Sequence, residues 1–284
     1  MSDLQQPHDY TPLPLVDIGV NLTAPQFADD IAQVLARARA AGIQQQLVTG
    51  TDVEHSRQAL ALARAHPGEL HATAGVHPHA AADVADDWLQ ALETLAAAEP
   101  VRALGEMGLD YNRNFSPAAD QEAVFEQQLE LAIRLQLPVF LHERDTRGRF
   151  FEMLEPWQNR LAGGVLHCFT GSANDLDRAL AAGLHIGVTG WICDERRGQE
   201  LQRLVRDIPA DRLLIETDAP WLLPRSIRPR RKSRRNEPGL LPWVLARVAE
   251  CRGEAPETVA ASTTANARRL FGLPAESLAV AGLA

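Results

Sequence analysis

The chain has almost no lysine: Lys232 is the one lysine among 28 basic residues in 284. Cysteine is scarce too. Cys168, Cys193 and Cys251 are odd in number and far apart, with no CxxC pair. This excludes a disulfide framework or a cysteine-rich zinc site and leads us to expect a reduced, cytoplasmic protein. No apolar run approaches the ~20 residues that span a bilayer, so no membrane partner is expected. The opening MSDLQQPHDYTPLP has no apolar stretch of the signal-peptide kind, and residues 1–14 read as a flexible lead-in. An overall positive charge is also lacking. The net charge of -9 excludes a general coat for polyanions. Seven basic residues nevertheless fall in RSIRPRRKSRR, Arg225–Arg235, without an acid among them. Any affinity of that kind is local.

Present instead is a regular alternation. Short β-rich runs are expected at Leu15–Gly19, Gln45–Thr49, Leu70–Ala74, Val101–Leu104, Pro138–Leu141, Gly164–His167, His185–Val188 and Arg212–Ile215. Between them lie stretches with apolar spacing near 3.6, such as Phe27–Ala41 and Gln121–Gln136. Strand–helix alternation implies parallel strands with helical crossovers. Eight such units in one chain of this length, with polar residues clustered just after the strands, favour a (β/α)8 TIM barrel over an open sheet. A dinucleotide fold would need a Gly-rich fingerprint after the first strand, and none is there. The barrel is expected to span 15–273 as one domain, closed by helices at Leu240–Cys251 and Ala255–Phe271 and followed by a tail at 274–284. Pro220–Pro238 reads as a long loop after the eighth strand.

In such a barrel the strand C-terminal ends meet on one face. Reading those ends in order gives Asp17 with Asn21, His77 with His79, Glu106, His142 with Arg144, His167 and Asp218. His8, His55, His66, His71 and His185 lie elsewhere and are set aside. Glu106, His142 and His167 form a His2Glu set with open positions, suited to a divalent transition metal. Singly, each histidine reads better as a buried ring satisfied by backbone. Three such residues on neighbouring strands read as a site. Asp218, in IETDAP, is placed as the base that takes a proton from water acidified by the cation, with Glu106 beside it. Arg144 suits a phosphate oxygen through its forked donors, with a surface ion pair to Glu143 or Asp145 as its ordinary alternative. His77 is placed on a phosphate, or simply in a turn.

The segments DIGVNL (17–22), AGVHPH (74–79), GEMGLDYNRNF (105–115), VFLHERD (139–145), HCFTG (167–171), GWICDERRG (190–198), IETDAPWLLP (215–224) and RRNEP (234–238) resemble the TatD family of metal-dependent deoxyribonucleases. DIGVN and CDERRG match the family's founding branch most closely. The resemblance covers nearly the whole chain. It implies phosphodiester hydrolysis, with single-stranded DNA, and RNA as a second class, cut in the 3′ to 5′ direction. It places metal ligands at Glu106, His142 and His167, with Asp218 close by. Wider relatives carry two further histidines where this chain has Gly19 and Asn21. That leaves Asn21 and Asp218 as oxygen ligands of a weak second site, which suits Mg²⁺ as the cation of activity. Zn²⁺ or Mn²⁺ suits the histidine site.

The basic loop adds Arg230, Arg231 and Arg234 as expected phosphate contacts. One rival is a barrel amidohydrolase acting on a small molecule. Its carboxylated-lysine form is excluded, because Glu106 stands after the fourth strand and Lys232 lies in the loop after the eighth. A Glu-bridged form survives as the alternative. A second rival is a non-catalytic scaffold, against which the retained ligand set argues. A monomer fits these features, and the sequence leaves the oligomeric state open.

Overall fold

The computed structural model describes residues 12–229 and 231–275. Eight parallel strands run in chain order: β1 (Leu15–Val20), β2 (Ile43–Val48), β3 (Leu70–Ala74), β4 (Val101–Asp110), β5 (Val139–Arg144), β6 (Gly164–Leu166), β7 (His185–Val188) and β8 (Leu213–Ile215). The ring closes between its ends. Val20 bridges Ala219, the Asn21 N–H donates to the Ala219 carbonyl at 2.8 Å, and the Asp218 N–H donates to the Gly19 carbonyl at 2.9 Å. The (β/α)8 barrel read from the sequence is the observed fold.

Helices α1 (Ile31–Ala40), α2 (Val53–Ala65), α3 (Trp88–Ala96), α4 (Ala118–Leu135), α5 (Arg149–Leu154), α6 (Ala173–Ala181) and α7 (Gln199–Leu204) form the crossovers, and α8 (Leu241–Arg252) and α9 (Pro256–Phe271) follow β8. Their ends use local chemistry. Asp52 caps α2 by accepting the His55 N–H at 2.7 Å, and Ser172 with Asp175 makes a capping box on α6. Two cores result. Val16, Ile18, Leu47, Ala103, Phe140, Val165 and Leu214 fill the barrel, with Phe271 of α9 packed against them. A larger layer joins strands to the surrounding helices. Burying a side chain the size of Phe140 contributes about 2–3 kcal/mol.

Two strands run further than the apolar pattern indicates. β4 was expected to stop at Leu104 but continues to Asp110, and β5 continues to Arg144. Glu106 and His142 therefore sit within strands rather than after them. The reason is Gly108, with φ near +146°: a Cβ there would collide with the His142 carbonyl. β4 and β5 can pair through that point only because no side chain intervenes.

The segments expected as lead-in and tail fall mostly outside the described residues, as does Arg230. Among the described residues no helix is long and apolar enough to cross a membrane.

Candidate metal centre

The strand ends open into a cavity of about 2320 Å³, lined among others by Asn21, His77, Glu106, His142, His167 and Asp218. Its centre is one oxygen atom. Glu106 Oε1 lies 2.9 Å from His167 Nε2, 3.0 Å from His142 Nδ1 and 3.3 Å from His77 Nε2. Single ligating atoms of His77, Glu106 and His142 also lie within 4.8 Å of one another.

The electrostatics follow from that convergence. Burial opposes charge on Glu106, but the His167 and His77 rings outweigh it and hold its carboxyl well below the usual range. Burial likewise works against a charged His167, and the Glu106 and Glu216 carboxylates more than reverse it, raising the ring well above its ordinary value. His142 is also raised, by Asp110 and Glu106 against burial. For His77 burial wins and lowers the ring to about 4. The cluster thus gathers imidazoles around a carboxylate held ionised. Imidazole nitrogens converging on such a carboxylate are the donor chemistry of a divalent transition metal, and these residues fit one. His142 Nε2, buried without a hydrogen bond and 3.5 Å from Asp110 Oδ2, completes this picture.

Outer residues fix the rings. His167 Nδ1 is 3.1 Å from Glu216 Oε2, while Glu216 Oε1 accepts the Cys168 N–H at 2.6 Å. Asp110 Oδ2 lies 2.7 Å from His79 Nε2, and its Oδ1 accepts the N–H groups of Asn112 and Arg113. Such partners set which nitrogen faces the ligand position. Asp218 lies close by, with Asn21 Nδ2 donating to its Oδ1 at 3.0 Å. Burial pushes the Asp218 carboxyl up to about 7; His167 opposes this, while Glu106 and Glu216 add to it. Asp17 has a different task. It accepts the Thr217 hydroxyl at 2.5 Å and N–H at 2.9 Å, tying β1 to the end of β8.

The structure brings Glu106, His142, His167, Asp218 and Asn21 together at one cavity. His77 joins them, its Nε2 3.3 Å from Glu106 Oε1, while its Nδ1 accepts the His79 N–H at 3.1 Å in a turn. Arg144 lines the cavity, 5.8 Å from the Trp191 ring, and its ordinary alternative is not met: among the described residues it has no ion pair with Glu143 or Asp145. Glu143 accepts instead from Thr146, and Asp145 from Asn112.

The basic loop finds acidic partners in the fold. Arg231 pairs with Glu237 at 2.9 Å, Arg235 with Asp30 at 2.7 Å and Arg225 with Asp194 at 3.2 Å. Arg234 is exposed, and neither it nor Arg231 lines the cavity. The run is acid-free in sequence but not in space, and much of it fastens the loop to the barrel. Basic side chains that do line the cavity include Arg113 and Arg147, which the sequence reading passed over. It also missed Glu216 and Asp110 as ring-fixing carboxylates, although both lie in segments singled out for their resemblance.

The family model for TatD related DNase matches residues 16–272. A protein from Pantoea sp. (strain At-9b), "3′-5′ ssDNA/RNA exonuclease TatD", is 55% identical over 259 residues, 91% of this chain and all of that one. A protein of the same name from Erwinia amylovora is 56% identical over the same coverage. Among solved structures, a TatD homolog from Escherichia coli k12 superposes with a TM-score of 0.83 at 31% identity, covering 92% of this chain and 98% of that one. With the family model, the relatives and the superposed fold agreeing over almost the whole length, the chain belongs to the TatD related DNase family.

Proposed function

We propose that this chain is a metal-dependent nuclease that removes nucleotides from the 3′ end of single-stranded DNA and RNA. The observation that carries it is the convergence of three imidazole nitrogens on Glu106 Oε1 inside a large open cavity. Relatives named as 3′-5′ ssDNA/RNA exonucleases support the substrate and direction. Nothing in the cavity favours the small-molecule hydrolase.

Glu106, His142 and His167 would hold a divalent cation, with His77 against the same oxygen. When bound, such a cation supplies Lewis acidity, polarising a phosphoryl oxygen and acidifying water. Asp218 takes the proton of the attacking water and returns it to the oxygen that leaves phosphorus. Its place supports this role, in the wall of the same cavity with Asn21 Nδ2 holding its Oδ1. Arg144 grips a non-bridging phosphate oxygen. Zn²⁺ or Mn²⁺ suits the histidine-rich set. Asn21 and Asp218 offer oxygens for a weaker Mg²⁺, the cation we assign to turnover. Three free thiols among the described residues suit the reducing cytoplasm, where we place the enzyme.

The test is metal-free protein reloaded with Mg²⁺, Mn²⁺ or Zn²⁺ and given 5′-labelled single strands. Ladders shortening from the 3′ end are expected, and both bound metal and turnover should fall sharply in His142→Ala and His167→Ala. Efficient nicking of circular single strands, or full activity after chelation, would overturn the reading.

A further inference from the structure

Large apolar side chains that stand in solvent are few. Among the described residues they are Phe115, 64% exposed, and Trp221, 53% exposed. Trp221 lines the cavity, and Phe115 stands beside it, packed on the cavity-lining His79. Trp221 comes three residues after Asp218 in a turn, its N–H donating to the Asp218 carbonyl at 2.9 Å. Phe115 sets its ring edge-on to His79, with centroids 4.8 Å apart, and His79 packs in turn on His77 at 4.2 Å. The two aromatics therefore border the ligand cluster from different directions. Phe115 belongs to the loop after β4 and Trp221 to the loop after β8, and in a ring ordered β1 to β8 those strands stand across from each other.

Exposing a ring of this size costs hydration free energy with no return from packing. The return comes from a ligand with flat apolar faces. Charge at the same mouth narrows the choice. Arg113, Arg144 and Arg147 line the cavity, and none has an ion pair among the described residues. Several carboxylates there are already occupied by local donors: Asp52 by His55, Asp145 by Asn112 and Asp175 by Ser172. Flat faces joined by anions describe an unpaired nucleic-acid strand, whose bases stack on aromatic rings while its phosphates meet arginine.

We infer that Trp221 and Phe115 are base-stacking platforms that select single strands, holding bases on either side of the ligand cluster. This rests on the nuclease reading and adds the residues that set its substrate preference. A paired end keeps its base faces buried in its own stack, so it cannot use the platforms without fraying. Preference for single strands is then a matter of base-face chemistry.

The test measures binding by chelated, metal-free protein, so that no strand is cut. The probes are a fluorescent short oligothymidylate and a version abasic at its 3′-terminal residues. Wild type should bind the base-bearing probe roughly tenfold more tightly than the abasic one. Trp221→Ala and Phe115→Ala should each lose roughly tenfold on the base-bearing probe and nothing on the abasic one. Trp221→Phe should retain most of the affinity. Both positions are exposed, so the variants should fold. Variants that bind the base-bearing probe like wild type, or lose equally on both probes, overturn the stacking role. Wild type that neither binds nor shortens single strands overturns the nuclease reading itself, whereas wild type that shortens them while the variants bind normally overturns the platforms alone.

Discussion

Glu216 occupies the space that a side chain at position 19 would need: a Cβ built on Gly19 would run into Glu216 Oε2. Gly187 leaves room on the other side, where a Cβ would come within 2.5 Å of Oε1. The carboxylate, 0% exposed, thus reaches across the barrel through two side-chain-free positions to His167 Nδ1. This recasts the loss of a histidine at position 19. An imidazole restored there would displace Glu216 before it could add a ligand.

Glu216 should therefore matter through His167. Glu216→Gln keeps the shape but can present an N–H where Nδ1 needs an acceptor, which turns the ring towards the wrong tautomer. Gly19→Ala should act the same way by pushing the carboxylate aside. We expect each to weaken metal binding roughly 10- to 100-fold, read by competition with a chelating dye. If both variants compete like wild type, Glu216 is only barrel filling.

The arginine loop gives a second prediction, in which stability and binding separate. Arg235 forks both Asp30 oxygens at 2.8 and 2.7 Å and also donates to the Gln26 carbonyl. Losing this partly exposed pair in Arg235→Ala should cost about 1 kcal/mol and lower Tm by roughly 2–4 °C. KM on single strands and its salt dependence should not change. Arg113→Ala with Arg147→Ala should do the reverse, leaving Tm alone while flattening the salt dependence, because fewer counterions are released. A flattened slope in Arg235→Ala would restore the loop to substrate binding.

What the sequence could and could not say divides along one physical line. The strand–helix alternation, the crossovers and the convergence of Glu106, His142 and His167 on one face depend on local pattern and on the geometry every barrel shares. They were legible. Partners supplied by distant segments were not. Arg231 and Glu237 are close in sequence, but Asp30 for Arg235, Asp194 for Arg225 and Glu216 for His167 come from other units. A run of arginines looks free until the fold supplies its carboxylates. β4 was cut short for a related reason: Gly105 and Gly108 interrupt the apolar pattern, yet close pairing with β5 is what requires glycine at position 108.

The last prediction concerns a histidine far from catalysis. His71 on β3 is 2% exposed, and neither ring nitrogen has a hydrogen-bond partner. Burial, helped by the positive charge of Arg102, lowers its pKa to about 4. An unfolded chain keeps an ordinary histidine near 6.5. Between those values the unfolded state takes up a proton that the native state refuses. The native advantage is therefore complete above about 6.5 and drains as pH falls towards 4. By about pH 5 His71 alone should have cost about 2 kcal/mol. His185, also lowered by burial, acts in the same sense. Asp17, pushed up to about 7 by burial, acts in the opposite one. The wild-type profile mixes these, so the informative quantity is a difference. His71→Leu is close in volume and carries no proton, and it should flatten the fall in stability on the acid side of neutrality. Urea melts of both proteins from neutral pH down to about 5 measure it. Parallel profiles would mean that His71 is protonated in the native state as readily as in the unfolded one, and that its burial exerts no pull on the proton.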